Sequence, residues 1–108
     1  MAETEQRYKG RQACPVNRAQ DVLGKKWTSL IIRDLKEGTR RFGALRKGLG
    51  HISTKTLTER LRELEAHGVV TRSVSPTVPV TVEYSLTDKG LALWPVIEAM
   101  RAWAEVWT

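Results

Sequence analysis

The chain has 108 residues, of which 41% are hydrophobic and 28% are charged, and its formal net charge is +6. This length suffices for one compact domain with a single core and is too short for two. No stretch approaches the roughly 18 consecutive apolar residues that a membrane-spanning helix requires, and the polar N-terminus lacks the apolar run of a secretory signal. We therefore expect a single-domain cytoplasmic protein without a membrane partner.

The positive charge is concentrated in one part of the sequence. Residues 39–62 contain seven basic side chains and one acidic side chain, so this stretch alone carries a charge of +6. A concentrated basic region favours a polyanionic partner such as nucleic acid, because it attracts phosphate groups. The alternative interpretation is that these basic residues form an ordinary solvated surface.

Helical spacing of apolar residues begins after a polar N-terminal segment. Residues 1–12 lack periodicity and are predicted to form a flexible arm, which places the folded domain at residues 13–108. Pro15 suits the first turn of a helix. A second helix of about ten residues is predicted from Trp27, and a short third helix from Phe42 ends at a glycine-rich turn.

The clearest start signal in the sequence lies at Ser53. Its hydroxyl is placed to cap the backbone amide of Lys55 or Thr56, and Ile52 and Leu57 occupy the positions of a hydrophobic staple. A fourth helix of about 14 residues is therefore predicted. The apolar stripe on its buried side comprises Leu57, Leu61 and Leu64.

The spacing of apolar residues changes from about 3.6 to 2 after this helix. Residues 70–74 and 80–86 alternate apolar and polar side chains, which predicts the two strands of a hairpin. The segment between them contains two prolines, so an extended tip is expected. Thr87 is placed to cap a last helix over residues 88–107, which Pro95 should kink or divide.

This order of elements is that of a winged helix-turn-helix, an α+β fold that is mostly helical. In such a fold the second helix of the motif enters the major groove of duplex DNA, and the hairpin lies along the flanking backbone. The hydroxyl and basic side chains opposite the leucine stripe suit phosphates and base edges. The candidate DNA-binding residues are Arg40, Arg41, Ser53, Thr54, Lys55, Thr58, Arg62 and Arg72.

Five blocks occur in order from Cys14 onward: CPV (14–16), LGKKW (23–27), RRFGALRKGL (40–49), ISTKTLTERLRELEAHGVV (52–70) and VEYSLTDKG (82–90). Together they resemble the HxlR-type winged-helix regulators of bacteria and archaea. The resemblance implies a dimeric repressor or activator that binds a palindromic or pseudo-palindromic site in double-stranded DNA. It also implies that the N-terminal cysteine can respond to small electrophiles or oxidants, as in some members.

One segment departs from the family pattern. Residues 79–84 read PVTVEY, where many relatives resemble PPRVEY and place a basic residue in the wing. Val80 and Thr81 carry no charge at that point. We therefore expect Arg72 to be the nearer basic residue of the wing and the fourth helix to supply more of the affinity for DNA.

Cys14 is the single cysteine of the chain and precedes a predicted helix. A helix N-terminus and basic neighbours such as Arg18 favour a reactive thiolate, which makes Cys14 a candidate redox sensor. The alternative is a small apolar side chain packed against a dimer partner, where burial opposes reactivity. With one cysteine, oxidation can join two protomers, form a mixed disulfide or leave a modified thiol, but it cannot form an intramolecular disulfide.

The C-terminal helix carries more apolar surface than a small monomer readily covers. Three of the four tryptophans lie there, which predicts a homodimer with two recognition helices about one DNA turn apart. The alternative is that these tryptophans complete the core of one protomer. The candidate interface residues are Trp94, Ile97, Met100, Trp103, Ala104 and Trp107.

Other functions have less support in the sequence. The two histidines, His51 and His67, lie beside predicted helix ends and belong to no converging set of titratable groups. Neither an enzyme nor a metal site built with Cys14 is expected, and no cofactor is expected. A winged helix that docks a protein partner instead of DNA is the remaining alternative, because a fold alone does not imply function.

Overall fold

The computed structural model describes residues 13–108, so the predicted arm over residues 1–12 lies outside the described part of the chain. The predicted helices and the hairpin are all present, in the predicted order. The elements are α1 (Pro15–Leu23), α2 (Thr28–Lys36), β1 (Arg40–Arg41), α3 (Phe42–Leu49), α4 (Thr54–Ala66), β2 (Val70–Ser75), β3 (Thr81–Leu86), α5 (Asp88–Leu91) and α6 (Trp94–Trp107).

The sheet has three antiparallel strands in the order β1-β3-β2, where the sequence predicted only a hairpin of two. Tyr84 at the centre of β3 is paired with Arg40 on one side and with Arg72 on the other. The third strand escaped prediction because two residues cannot display a period of two. We call the β2-β3 hairpin the wing. Because β1 pairs with β3, the start of α3 is held beside the wing.

The core lies between the helices and the inner half of the sheet. The three leucines of α4 are at most 1% exposed, as the predicted stripe requires, and they pack with Ile31 and Ile32 of α2. These contacts confirm the buried side of α4. The remaining buried members of the cluster are Leu35, Leu45, Ile52, Val69, Val70, Tyr84 and Ile97.

The predicted strand over residues 70–74 is confirmed, but only its first residue is buried. Val70 is 3% exposed, whereas Val74 is 48% exposed. The outer half of the hairpin extends past the helices, so its apolar side chains have no core to face. The tip at residues 76–80 is exposed throughout, in agreement with the expected extended connection.

Proline divides the predicted C-terminal helix into two. Thr87 caps the short α5, because its hydroxyl oxygen accepts a hydrogen bond from the amide of Gly90 at 3.1 Å. Pro95 occupies the first turn of α6, where a missing amide hydrogen costs nothing. Within residues 13–108, no helix combines the length and apolar character needed to cross a bilayer.

Candidate nucleic-acid interface

Helix α4 begins at the predicted cap. Ser53 is extended, and its hydroxyl oxygen accepts a hydrogen bond from the amide of Thr56 at 3.1 Å, which decides between the two predicted amides. The other amides of the first turn point beyond the end of the helix, where an anion is favoured. Thr54 and Lys55 are exposed beside them.

The outward side of α4 presents unpaired positive charge. Lys55 and Arg62 are exposed, and neither forms an ion pair with any residue of the described part of the chain. Thr58 is half-buried instead, and its hydroxyl donates to the carbonyl oxygen of Thr54 at 2.8 Å. Its proton is therefore used within the helix, while its oxygen can still accept.

A groove of about 500 Å³ separates α4 from the wing. It brings together Arg62 of α4 and Arg72 of β2, which were predicted to bind DNA from separate parts of the sequence. The aromatic rings of Phe42 and Tyr84 form part of its wall, and Glu65 is the one acidic residue that lines it. The groove is lined by Phe42, Thr58, Arg62, Glu65, Arg72, Val82 and Tyr84.

The two arginines before α3 occupy different environments. Arg41 is exposed and has no ion-pair partner among residues 13–108. Arg40 is half-buried, lies 3.6 Å from a carboxylate oxygen of Glu37 and lines a separate cavity of about 240 Å³ that Asp34 also borders. Successive strand residues face opposite sides, which accounts for the separation.

Arg60, another basic residue of the 39–62 stretch, binds groups within the protein. The guanidinium of Arg60 lies 2.9 Å from Glu63 and also donates to the carbonyl oxygen of Lys26 at 3.3 Å. Lys25 Nζ lies 2.9 Å from the same Glu63 oxygen. The hydrogen bond from Lys25 is the main reason that the pKa of Glu63 lies below its usual range, and Arg60 adds to the effect.

Glu63 was missed by the sequence analysis. Its spacing of three residues from Arg60 is a helical ion-pair signal that the sequence does contain. The contact with Lys25 spans 38 residues, and no local pattern reports it.

The residues predicted at a dimer interface fall into two groups. Ile97 is 8% exposed and belongs to the protomer core, and Trp94 packs against that core. Met100, Trp103 and Trp107 are 52%, 62% and 72% exposed on α6. Ala104 is half-buried between them.

Cys14 is a free thiol at the N-cap position of α1 and is 8% exposed. Its side chain forms no capping hydrogen bond. The guanidinium of Arg18, one helical turn later, donates to the carbonyl oxygen of Ala13 at 2.9 Å. Within residues 13–108, no group of three or more His, Cys, Asp or Glu side chains is placed to hold a metal ion.

Comparisons with known proteins agree with this geometry. The family model of the HxlR-like helix-turn-helix proteins matches residues 22–108. The HTH-type transcriptional regulators YvaP and YodB of Bacillus subtilis are each 45% identical to the chain over 97 residues. The match covers 89% of this chain and 90% or 87% of the relative, respectively.

Solved structures give the same result. The oxidized form of the redox regulator HypR is 42% identical and superimposes with a TM-score of 0.81, covering 86% of this chain and 96% of that one. The reduced form of YodB from B. subtilis is 45% identical with a TM-score of 0.77, covering 87% and 93%. The chain therefore belongs to the HxlR-like helix-turn-helix family of transcriptional regulators.

Proposed function

We propose that the protein is a homodimeric transcriptional regulator that binds a pseudo-palindromic site in double-stranded DNA, with α4 as the recognition helix. The observation that carries this proposal is the pair of unpaired cations, Lys55 and Arg62, on the side of α4 opposite its buried leucines. The capped N-terminus of α4 adds amide groups for a phosphate. No catalytic activity forms part of the proposal.

The candidate residues divide by the contact that each can make. Lys55 and Arg62 project from the recognition helix and can reach phosphates or guanine edges. Arg72 borders the same groove from the wing and suits the sugar-phosphate backbone. Arg41 is exposed before α3 and suits the backbone too, whereas Arg40 contributes only long-range attraction because it faces Glu37.

Replacing Lys55 and Arg62 by alanine tests the assignment of α4. Each substitution should weaken binding to duplex DNA by about 1–3 kcal/mol where a base edge is contacted. Where only a phosphate is contacted, the slope of log affinity against log salt should fall by about one. Electrophoretic mobility shifts over a series of salt concentrations measure both quantities.

The matched control is Arg33→Ala, which removes the same charge from the outer side of α2, where Arg33 pairs with Asp34. Its effect on DNA affinity should be small, and none of these substitutions should change the oligomeric state. Unaltered DNA binding in the Lys55→Ala/Arg62→Ala double variant would refute the assignment and favour a protein-docking module.

The exposed tryptophans of α6 support the dimer. Trp103 and Trp107, with Met100, leave large apolar side chains in water on one short helix. A second copy of the chain would remove this surface from solvent, and burial of apolar area is the main source of free energy in such associations. The interface that we propose therefore excludes Ile97, which the protomer already buries.

A charge placed in this surface should separate the protomers. For Trp103→Glu we expect sedimentation as a single chain at concentrations where the unmodified protein sediments as two. Val80→Glu, on the exposed wing tip, introduces the same charge at an apolar position that is 62% exposed and should leave the dimer intact. Dimeric Trp103→Glu protein would contradict the proposed interface.

Cys14 is proposed as a redox-sensing residue. HypR is named a redox regulator, and YodB has been solved both reduced and after diamide treatment. Cys14 occupies the N-cap position of α1, and its thiol is free. Because the side chain is only 8% exposed, an oxidant reaches it after local opening of the segment around Ala13.

Diamide treatment tests this role. Oxidation of two Cys14 thiols to one intersubunit disulfide gives two electrons and two protons to diamide, and a mixed disulfide with a small thiol is the other product. We expect the DNA affinity of the unmodified protein to change on treatment and that of Cys14→Ser to stay constant. If both proteins respond alike, or neither does, Cys14 serves only in packing.

A further inference from the structure

The turn at residues 24–27, between α1 and α2, is held against one side of α4. Two polar contacts join them directly: Lys25 Nζ to Glu63 Oε1 at 2.9 Å, and Arg60 Nε to the carbonyl oxygen of Lys26 at 3.3 Å. Arg60 and Glu63 also pair with each other at 2.9 Å. We call these four groups the turn clasp. It links two segments that are more than 30 residues apart in the chain.

The turn contains an uncommon backbone conformation that the contacts of the clasp can stabilise. Trp27 has a φ of 80°, in the left-handed region that side chains other than glycine rarely adopt. Such a conformation persists where the surrounding contacts enforce it. Here the indole packs against the core, and Arg60 binds the carbonyl that immediately precedes Trp27. Arg60 itself is well covered, with 17% of its side chain exposed.

The clasp occupies only one flank of α4. At 100° per residue, Arg60 and Glu63 lie between the leucine stripe and the outward side on one edge of the helix. Thr58 and Glu65 lie on the opposite edge, and both line the open groove beside the wing. The leucines determine which side of α4 faces the core. On the clasp side, polar contacts oppose rotation of the helix about its own axis. On the other side lies the open groove.

We propose that Arg60 and Glu63 are positioning residues for DNA binding, which set the rotation of α4 through the turn clasp without touching DNA. Lys55 and Arg62 extend from the same helix, so a small rotation displaces both cationic groups relative to a groove of fixed width. This proposal rests on the proposed DNA-binding function. It assigns to an acidic residue of a DNA-binding helix a favourable effect on affinity.

The sign of that effect provides the test. The probe is a duplex fragment selected by the unmodified protein, and affinity is measured for Glu63→Gln and for Glu59→Gln. Both substitutions remove one negative charge from α4, which by electrostatics alone raises affinity for a polyanion. Glu59 is exposed and forms no ion pair within residues 13–108. We expect Glu59→Gln to bind as tightly as the unmodified protein or more tightly, and Glu63→Gln to bind about two- to fivefold more weakly.

Two further variants separate positioning from folding. Arg60→Lys keeps the charge but cannot donate both to Glu63 and to the Lys26 carbonyl in the planar geometry of a guanidinium, so affinity should fall. Lys25→Ala breaks the clasp from the turn, at a side chain that is 56% exposed and outside the core. Its matched control is Arg33→Ala, which removes a positive charge from α2 outside the clasp, and we expect the larger loss for Lys25→Ala. All affinities are measured where circular dichroism shows a folded protein, and a reduced salt slope marks lost phosphate contacts.

Affinities equal to that of the unmodified protein in folded Glu63→Gln and Arg60→Lys would overturn the positioning role while leaving the proposed function intact. If the unmodified protein selects no fragment, the proposed function itself fails and the inference falls with it.

Discussion

Burial of one leucine stripe determines how the recognition helix is presented. Leu57, Leu61 and Leu64 are each at most 1% exposed, and full burial of each such side chain is worth about 1.5–3 kcal/mol. An exposed ion pair contributes about 0–1 kcal/mol, so the leucine stripe outweighs any single one of them. Because α4 turns by 100° per residue, the same burial forces Lys55 and Arg62 outward. The apolar residues therefore place the cations on the outward side of the helix, and the proposed turn clasp sets the finer rotation that this burial leaves open.

The charge of the sequence overstates the charge of the interface. Some of the basic residues in the 39–62 stretch bind groups within the protein. Arg60 binds Glu63, and Arg40 faces Glu37. Arg46 donates a hydrogen bond to the carbonyl oxygen of Ile52 at 3.3 Å. Lys55 and Arg62 have no ion-pair partner within residues 13–108, so they retain their full attraction for a phosphate. The net charge indicates a polyanionic partner, whereas the ion pairs indicate which cations remain free to bind that partner.

Local signals in the sequence predicted most of the fold, and nonlocal contacts escaped it. The cap at Ser53, the leucine stripe and the break at Pro95 each depend on residues within one or two helical turns, and the structure agrees with them. Strand β1 is too short to show the two-residue alternation of a strand. Ile97 joins the core because α6 packs against α2, and the spacing of apolar residues along α6 does not predict that contact.

The central claim is that two copies of α4 read DNA as a symmetric pair. It is tested most directly by incubating the protein with sheared genomic DNA at about physiological salt and sequencing the bound fragments. The account predicts enrichment of a two-fold-symmetric site with half-sites centred about one DNA turn apart. Recovery of fragments that share no sequence, or only a single unpaired half-site, would contradict it.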